Sequence, residues 1–543
     1  MSDERIDQDT ERAWVDFIVR QHHQLGGVAT ATSAMAQCAQ QLLRAVLAGD
    51  SCVPIERDLP VSPVLTVITP TRANAVVTTP LVQDLGHVYL QRLWQAETIL
   101  AARLRSLVCA TPIADQATIS TVLGELTQRV QLAPEQLRAV AVALNRSLLV
   151  LTGGPGTGKT HTIASVIAAT RQARPGLRLA LAAPTGKAAA RLAESLSQQN
   201  LAVPAVSTVH ALLGFSGDHG DGRSRRLLDI DLLIIDEASM LGLELACSVM
   251  QALPAHARLI LAGDGEQLSS VEPGSVFADV ISAGEHLLAD SMVRLTKNFR
   301  QAQAPGLAAL AQLLRQDDPV MTQPSLPGVT VQDVDQRETP TVRERRRQIV
   351  ADAARRYQSL LAGAIDPWSQ LTRSDGFRLL TALREGPLGA LELAEAIDRV
   401  MAPEPLALWY PGRLIIVLRN ARDLGLANGD IGVACVRDGQ LGVAFGNTQR
   451  QQWIAIAQLP AHEPAWALTV HKAQGSEYDE IAFVPAPPEH PLSRRELVYT
   501  AVTRAKRAVF IWGGWPALRD AAARPMARRG TLALRLRSDF ARV

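Results

Sequence analysis

Short apolar runs alternate with amphipathic stretches through the middle of the chain. Buried strands are predicted at 148–151, 177–183, 232–236 and 259–262, and 186–199 has the apolar spacing of a helix. Strands that alternate with helices in this way predict a parallel sheet covered on both faces. We therefore expect an α/β domain whose ligands bind at the carboxyl ends of its strands.

A second α/β unit is predicted to begin near Val293. Its further predicted elements are strands at 378–381, 466–469, 481–484 and 508–512 and a helix at 493–503. Within this unit, 414–459 contains short β-rich runs broken by NGD, DG and GN turns. That spacing is typical of a small antiparallel barrel, inserted here into the second α/β domain.

The first 112 residues carry no nucleotide motif and contain amphipathic helical stretches at 41–48 and 88–105. Between them, 54–79 is rich in proline, valine and threonine, which predicts a loop or short strands. The predicted domains are 1–112 (helical), 113–292 (first α/β domain), 293–404 with 466–543 (second α/β domain) and 405–465 (inserted β-barrel).

The amino-acid composition restricts the classes of protein to which this chain can belong. The 543 residues are 47% hydrophobic and 20% charged with a net charge of +2, so any nucleic-acid surface would be a local groove. The five cysteines are scattered without a C-x-x-C pair, which indicates reduced thiols. The sequence shows no apolar run of the about 18 residues that a membrane span needs and no secretion signal. We therefore expect a cytoplasmic location.

The run GGPGTGKT matches the phosphate-binding pattern G-x-x-x-x-G-K-[ST]. Glycines let consecutive backbone N–H groups turn inward around phosphate oxygens, and the following helix presents its positive end to the anion. Lys159 is placed to reach the β- and γ-phosphates, and the Thr160 hydroxyl to bind Mg²⁺. The residues predicted to hold the nucleotide are Gly153, Gly154, Pro155, Gly156, Thr157, Gly158, Lys159 and Thr160.

Two adjacent carboxylates follow the apolar run LLII. Asp236 would hold the Mg²⁺ through water, and Glu237 would polarise the water that attacks the γ-phosphate. A plain strand–helix turn could explain a glycine-rich loop alone. Both motifs in this order, each after an apolar strand, predict an ATPase.

Four further side chains complete the predicted nucleotide site. Gln136 in LAPEQLRAV could read the adenine edge or be an ordinary surface glutamine. Gln267, in GDGEQLSSVEPG, stands at a strand end and is a candidate sensor of the γ-phosphate. Arg300 in LTKNFRQ and Arg504 in LVYTAVTRAKR are expected to approach from the second α/β domain and neutralise charge in the transition state.

The strand at 177–183 ends in APTGKAAARL. There Thr185, Gly186 and Lys187 combine a hydroxyl, a bare backbone and an ammonium, which suit a sugar–phosphate backbone. Thr208 and His210 in STVHALLG could bind the same strand. The histidine is equally well explained as a satisfied structural residue.

Seven motifs in one order, GGPGTGKT, APTGKAAARL, LLIIDEASM, GDGEQLSSVEPG, LTKNFRQ, ALTVHKAQGSEYDE and LVYTAVTRAKR, resemble the series of superfamily 1 DNA helicases. Within that superfamily the chain resembles the RecD family. The stretches LLTALREGPLGALELAEAI, WYPGRLIIVLRNARDLGLANGDIGV, LLRAVLAGDSCVPI and HVYLQRLWQAE extend the likeness to most of the chain. Two departures are minor, Glu266 where aspartate is more usual and Arg413 before leucine where proline is common.

The resemblance implies a motor that moves 5′→3′ on single-stranded DNA, driven by ATP with Mg²⁺. It implies two RecA-like P-loop domains with ATP between them, an inserted barrel, and an N-terminal domain that docks on RecB-like and RecC-like subunits of a heterotrimer. Nuclease activity is expected in a partner. The stretch 214–229 matches where the family carries a strand-separating pin, although a flexible surface loop explains its composition equally well.

The resemblance also assigns residues in the second α/β domain. Thr469, His471 and Lys472 are expected to contact DNA, although His471 and Lys472 could simply belong to an exposed loop. Gln474, Gly475 and Glu477 are expected to relay the nucleotide state across the cleft, the last two beside the nucleotide.

Two alternatives stay open. One is a stand-alone 5′→3′ helicase. The other is a nucleotide-switched module that clamps DNA or a partner without translocating, for which Glu237, Arg300 and Arg504 would be superfluous. The N-terminal apolar residues could form a docking surface or the domain's own core; they are Leu42, Leu43, Val46, Leu47, Leu90, Leu93 and Trp94.

Overall fold

The structure is a computed structural model. It describes residues 2–55, 59–69, 77–108, 112–199, 201, 203–215, 227–285, 287–299, 304–316, 325–332, 341–362, 364, 366–404, 408–421, 423–446 and 451–537. Among the helices of these ranges, none is long and apolar enough to cross a membrane.

The N-terminal domain combines helices with a sheet. Its elements are α1 (Ser2–Gln24), α2 (Thr32–Leu47), β1 (Cys52–Pro54), β2 (Leu65–Val67), β3 (Leu81–Asp84), β4 (His87–Leu90) and α3 (Gln91–Val108). The strands lie in the order β1-β4-β3-β2. Leu85 and Gly86 join β3 to β4 with φ of 53° and 72°, the left-handed pair that a two-residue hairpin needs. The loop or short strands predicted at 54–79 contain β2, whereas the prediction of a helical domain missed β3 and β4.

The first α/β domain contains a six-stranded parallel sheet. Its elements are α4 (Gln116–Arg129), α5 (Pro134–Asn145), β5 (Leu148–Gly153), α6 (Lys159–Ala173), β6 (Leu179–Ala183), α7 (Gly186–Ser197), β7 (Val206–Thr208), α8 (Val209–Leu212), β8 (Leu232–Ile235), α9 (Leu243–Ala252), β9 (Arg258–Gly263), α10 (Val276–Ser282) and β10 (Met292–Leu295). The strand order is β10-β5-β9-β8-β6-β7.

Strand β10 corrects the predicted boundary at residue 293. It pairs in parallel with β5, with Val293 opposite Leu151, so it is an edge strand of the first sheet. Val293 and Leu295 are buried in the same core as the interior strands. The second domain therefore begins after this strand, because the strand's apolar side chains complete the first core.

The second α/β domain follows, with an insertion. The elements are α11 (Pro305–Leu314), β11 (Val329–Val331), α12 (Val342–Leu361), α13 (Pro367–Ser374), β12 (Phe377–Thr381), α14 (Ala390–Met401), β13 (Leu414–Val417), β14 (Ile431–Arg437), β15 (Gln440–Gly446), β16 (Gln451–Ala455), β17 (His462–Pro464), β18 (Ala467–Thr469), β19 (Tyr478–Val484), α15 (Arg495–Thr503), β20 (Ala505–Ile511), α16 (Gly514–Ala522) and α17 (Leu532–Arg535). Strands β11-β20-β19-β12-β18 form its parallel sheet.

The insertion is a five-stranded antiparallel sheet in the order β16-β15-β14-β13-β17. It encloses its own small apolar core, which includes Ile415, Val443 and Phe445. In the described part of the chain the two edge strands pair only inward, so closure of this sheet into a barrel stays a prediction.

The N-terminal domain shares a core with the first α/β domain. Helix α3 packs against α9, and Leu93 and Leu100 of α3 belong to one buried cluster with Val249 and Leu253. Of the apolar residues considered for docking, Leu42, Val46, Leu93 and Trp94 are buried, whereas Leu47 is 55% exposed. Most of that set is core, as the alternative reading held.

The end of the chain returns from α16 to the N-terminal domain. Arg535 pairs with Asp84 at 2.9 Å, and both side chains are almost fully buried. The Thr531 hydroxyl donates to Glu97 at 2.7 Å. This segment therefore ties the second α/β domain to the N-terminal domain.

Candidate nucleotide and DNA site

The phosphate loop joins β5 to α6. Gly156 and Gly158 have φ of 78° and 80°, which side chains rarely adopt and which turns the backbone N–H groups inward. The Lys159 ammonium donates to the carbonyls of Gly153 and Gly154 at 2.6 and 3.2 Å. The loop thus holds its own lysine at the place where a phosphate would compete for it.

The two carboxylates stand beyond β8, beside the loop. Glu237 has a left-handed backbone with φ 54° and ψ 39°, a strained conformation of the kind that clusters at functional sites. Burial and the neighbouring Glu237 charge raise the pKa of Asp236 to about 6, although Lys159 and Arg191 oppose the shift. A half-buried carboxylate pair with the Thr160 hydroxyl on the same cavity is a donor set that fits a hard divalent cation.

The predicted nucleotide residues converge on one cavity of about 520 Å³ between the two α/β domains. Those that line it are Gln136, Gly154, Pro155, Gly156, Gly158, Lys159, Thr160, Asp236, Glu237, Gln267, Gly475, Glu477 and Arg504. Gly153 and Thr157 lie behind the loop, where the Thr157 hydroxyl donates to the Gly154 carbonyl at 2.8 Å. Arg300 lies outside the described residues, as does most of the 214–229 stretch.

Arg504 enters this cavity from the second α/β domain. Its guanidinium donates to Gln267 Oε1 at 2.9 Å, to the Ser476 carbonyl at 3.2 Å and to the Thr500 carbonyl at 3.3 Å. Only 2% of the residue is exposed. The structure therefore brings the predicted arginine and the predicted sensor glutamine into direct contact.

On the side of the cavity that the phosphate loop forms, Gln136 supplies an amide and Phe299 an aromatic ring. Gln136 is 2% exposed, so it is not an ordinary surface glutamine. Its Nε2 lies 2.6 Å from where a Cβ on Gly158 would stand, so a side chain there would displace it. Phe299, whose backbone N–H donates to the Gly156 carbonyl at 2.9 Å, lies against Gly158 and is 46% exposed. An exposed ring here can stack on a planar base.

The predicted DNA-contacting residues of the first α/β domain share one sheet edge. Strands β6 and β7 are paired with Ala183 opposite Thr208, so Thr185 and Thr208 follow neighbouring strand ends. Both hydroxyls cap short helical segments by accepting from the N–H groups of Ala188 and Ala211. His210 is exposed and packs edge-on against Phe215, with ring centroids 6.0 Å apart.

Gly186 and Lys187 contact the second α/β domain. A Cβ on Gly186 would lie 2.9 Å from the Ala427 Cβ of the inserted sheet, so only glycine allows this approach. The Lys187 ammonium lies over the Tyr478 ring, 5.7 Å from its centroid. These contacts bring the inserted sheet next to the sheet edge of the first domain.

In the second α/β domain, Thr469 ends β18 and is 7% exposed. Burial and the charge of Arg528 lower the pKa of His471. The Lys472 ammonium is ion-paired with Glu463. Neither residue is the freely exposed loop side chain that the alternative interpretation required.

Sequence reasoning missed several residues that hold the cleft together. Tyr499 donates to Asp264 at 3.2 Å, and the Thr500 hydroxyl accepts from the Leu268 N–H at 2.9 Å. Arg191 pairs with Glu477 at 2.6 Å. Tyr499 and Thr500 stand near Arg504 in LVYTAVTRAKR, and Arg191 lies in APTGKAAARL, so all three lie within motifs predicted to be functional, although the motifs do not show which residues meet.

Two protein families and several individual proteins are similar to this chain. The AAA domain family matches residues 131–325, and the UvrD-like helicase C-terminal domain family matches 464–512. RecBCD enzyme subunit RecD of Mycobacterium tuberculosis is 34% identical over 528 residues, which is 91% of this chain and 90% of that protein. The ATP-dependent RecD2 DNA helicase of Deinococcus radiodurans is 32% identical over 458 residues, 83% of this chain and 58% of that protein. The Pif1 helicase structure from Candida albicans has a TM-score of 0.42 at 16% identity, over 73% of this chain and 97% of that one.

A phosphate loop, paired carboxylates and an arginine from a second α/β domain around one cavity define an ATPase of the helicase type. The matched families and relatives make it an ATP-dependent DNA helicase. With 34% identity to RecD over nine-tenths of both proteins, the chain belongs to the RecD family.

Proposed function

We propose that the chain is the 5′→3′ single-stranded DNA translocase and helicase subunit of a helicase–nuclease complex that processes double-strand breaks for recombinational repair. One observation carries this proposal, the match to RecD across 91% of the chain, which includes the N-terminal domain as well as the ATPase core. Its place of action is the cytoplasm, with the chromosomal DNA.

Hydrolysis uses residues that already meet in the cleft. Lys159, whose ammonium lies beside the Gly153 and Gly154 carbonyls, is placed to bind the β- and γ-phosphates. Glu237 orients the attacking water and accepts its proton. Arg504 neutralises charge that develops on the γ-phosphate, and Gln267 senses the phosphate while holding that guanidinium. Arg300 is proposed as a second arginine on sequence grounds alone.

Asp236 and the Thr160 hydroxyl would hold Mg²⁺. An ion held there would supply neutralisation of the phosphate charge. The chain's contribution is a half-buried carboxylate pair: desolvation, and after it the charge of Glu237, raises the pKa of Asp236, and a bound cation would offset both effects. Gln136 and Phe299 would hold the base at the other side of the phosphate loop, and Gly475 and Glu477 the side of the nucleotide that faces the second domain.

The DNA strand would cross both α/β domains along the sheet edge. In the first domain it meets Thr185, Gly186, Lys187, Thr208 and His210, and in the second Thr469, His471 and Lys472. Backbone N–H groups at the start of α7 favour phosphate, as helix N-termini do. For Lys472 to contact phosphate, its ammonium has to exchange Glu463 for DNA.

Assembly with RecB-like and RecC-like subunits would use the outer face of the N-terminal domain. The domain carries exposed apolar side chains, namely Phe17, Leu25, Val28, Leu47 and Val61, at 41, 58, 63, 55 and 94% exposure. Exposed apolar side chains mark interaction sites where they cluster. Surface substitutions test this better than removal of 1–112, because α3 shares its core with α9 and a deletion would expose that core.

Leu25→Ser together with Val28→Ser and Val61→Ser should prevent co-purification of two large subunits from native lysate and leave DNA-stimulated ATPase activity intact. Val436→Ser, 56% exposed on the inserted sheet, is the matched control and should retain both subunits. Full recovery of both subunits by the triple variant would move the docking surface elsewhere.

A stand-alone helicase is the second candidate. The chain is 32% identical to RecD2 over 83% of its length, and the shared part includes the ATPase core. This likeness favours a stand-alone helicase. Robust 5′→3′ unwinding by the purified chain, with no subunits recovered from lysate, would select it over the complex-bound role. A switch that does not translocate would need no contact between Arg504 and Gln267 across the cleft.

A further inference from the structure

Arg191 forms an ion pair across the nucleotide cleft. It lies on α7 of the first α/β domain, and its Nη2 atom is 2.6 Å from Oε2 of Glu477, which directly precedes β19 of the second. The Glu477 side chain is only 9% exposed. Because a partly buried pair is less screened than a surface pair, this contact contributes to how the two domains sit on each other.

The same guanidinium faces the hydrolytic carboxylates. Arg191 lines the nucleotide cavity with Asp236, Glu237 and Glu477. Its positive charge interacts favourably with all three, which offsets the cost of its own burial. Arg191 therefore contacts the second domain and also interacts with the charges of the hydrolysis site.

Both partners of the pair stand on elements that begin with proposed DNA contacts. Helix α7 starts directly after Thr185, and Glu477 follows the segment 469–472. These elements touch each other, since a Cβ on Gly475 would lie 3.3 Å from the Ala188 Cβ. Gly475 has φ of +74°, so its backbone also requires glycine. A change in spacing between the two DNA-contacting elements therefore changes the Arg191–Glu477 distance.

We propose that Arg191 is a positioning residue that makes ATP hydrolysis depend on bound single-stranded DNA, an inference that rests on the helicase function above. A strand that bridges the start of α7 and 469–472 holds the two elements together and favours the ion pair. The pair keeps the second domain, with Arg504, in place over the γ-phosphate. Without Arg191, DNA binds but no longer aligns the domains for hydrolysis.

Steady-state ATPase assays of the full chain, with and without oligo-dT, test this role. Arg191→Gln should reduce the fold-stimulation by DNA about tenfold, a typical coupling between two sites, chiefly through kcat and with little change in KM for ATP. Arg191→Lys, which keeps the charge, should retain part of the stimulation. Arg129→Gln, which removes an exposed ion pair with Glu125 on α4, is the matched control and should behave as the parent.

The charge-swapped double variant, Arg191→Glu with Glu477→Arg, separates pairing from direct nucleotide contact. The swap should recover part of the stimulation that Glu477→Arg alone loses, because the ion pair re-forms in the reverse orientation. An Arg191→Gln protein stimulated as strongly as the parent overturns the inference. If the parent chain itself is not stimulated by DNA, the helicase proposal fails instead.

Discussion

Arg504 of the second α/β domain donates a 2.9 Å hydrogen bond to Oε1 of Gln267 in the first. The two side chains are 2% and 6% exposed, so the bond is shielded from water. The bond directs the arginine into the cavity that the predicted nucleotide residues line. Preorganisation of this kind lowers the reorganisation needed in the transition state.

Arg504→Ala should lower kcat of the DNA-stimulated ATPase by about 10³-fold or more, as loss of an arginine finger does. Affinity for ATP should fall far less, because the charge it neutralises develops in the transition state. Gln267→Ala should cost less than Arg504→Ala, and the double variant should be no slower than Arg504→Ala alone. Equal losses in affinity and rate would indicate ground-state binding instead.

The hydrolysis residues should separate binding from turnover. Lys159→Gln removes the charge that reaches the phosphates and should abolish DNA-stimulated ATPase activity. Glu237→Gln keeps the shape of the strained loop but cannot accept a proton, so it should bind a fluorescent ATP analogue normally and lose turnover. If Glu237→Gln hydrolysed ATP at the parental rate, another residue would have to orient the attacking water.

Phe299 should supply stacking for the base of the nucleotide. Phe299→Ala should raise KM for ATP about tenfold, in keeping with about 1–3 kcal/mol per stacked base, and should leave kcat nearly unchanged. Phe299→Tyr keeps the ring and should behave as the parent. An unchanged KM for Phe299→Ala would place the base away from this ring.

Asp279 on α10 should make stability depend on pH. Burial and the nearby Glu97 raise its pKa from 3.8 to about 8. As pH rises between these values the unfolded chain releases the proton while the folded one retains it, so the free energy of unfolding falls. Asp279→Asn, which resembles the protonated acid, should therefore raise Tm, and the gain should grow from pH 5 to pH 8.

Thermal unfolding across this pH range measures the effect, because a change that stabilises the fold raises Tm. Asp438→Asn, at a carboxyl that is 94% exposed, should show no such pH-dependent gain. A gain in Tm for Asp279→Asn that is the same at pH 5 and pH 8 would mean that Asp279 ionises normally.

The predicted nucleotide residues could be named from the sequence because they lie in contiguous motifs, and the structure brings most of them to one cavity. The phosphate loop, Asp236 and Glu237 each follow an apolar strand, so local pattern alone placed them at one sheet edge. The location of β10 could not be read in this way. Its apolar pattern suits either sheet, and only pairing with β5 decides which core it completes.

Contacts between segments that are distant in sequence also could not be predicted from the local sequence pattern. Gln136 resembles any helical surface glutamine until the phosphate loop folds over it. Arg191 and Glu477 are far apart in sequence, and nothing in either motif states that they meet. In the N-terminal domain, helical amphipathicity at 88–105 concealed β4, because His87–Leu90 directly precedes α3 and continues its apolar pattern.

Unwinding of tailed duplexes with Mg²⁺ and ATP tests the central claim most directly. The parent chain, alone or with its co-purified subunits blocked for nuclease activity, is given equal duplexes that carry a 5′ or a 3′ single-stranded tail, with Lys159→Gln as the inactive control. Unwinding of the 5′-tailed duplex alone, lost in Lys159→Gln, is the result that a 5′→3′ helicase predicts. Unwinding of only the 3′-tailed duplex, dependent on Lys159, would contradict the account.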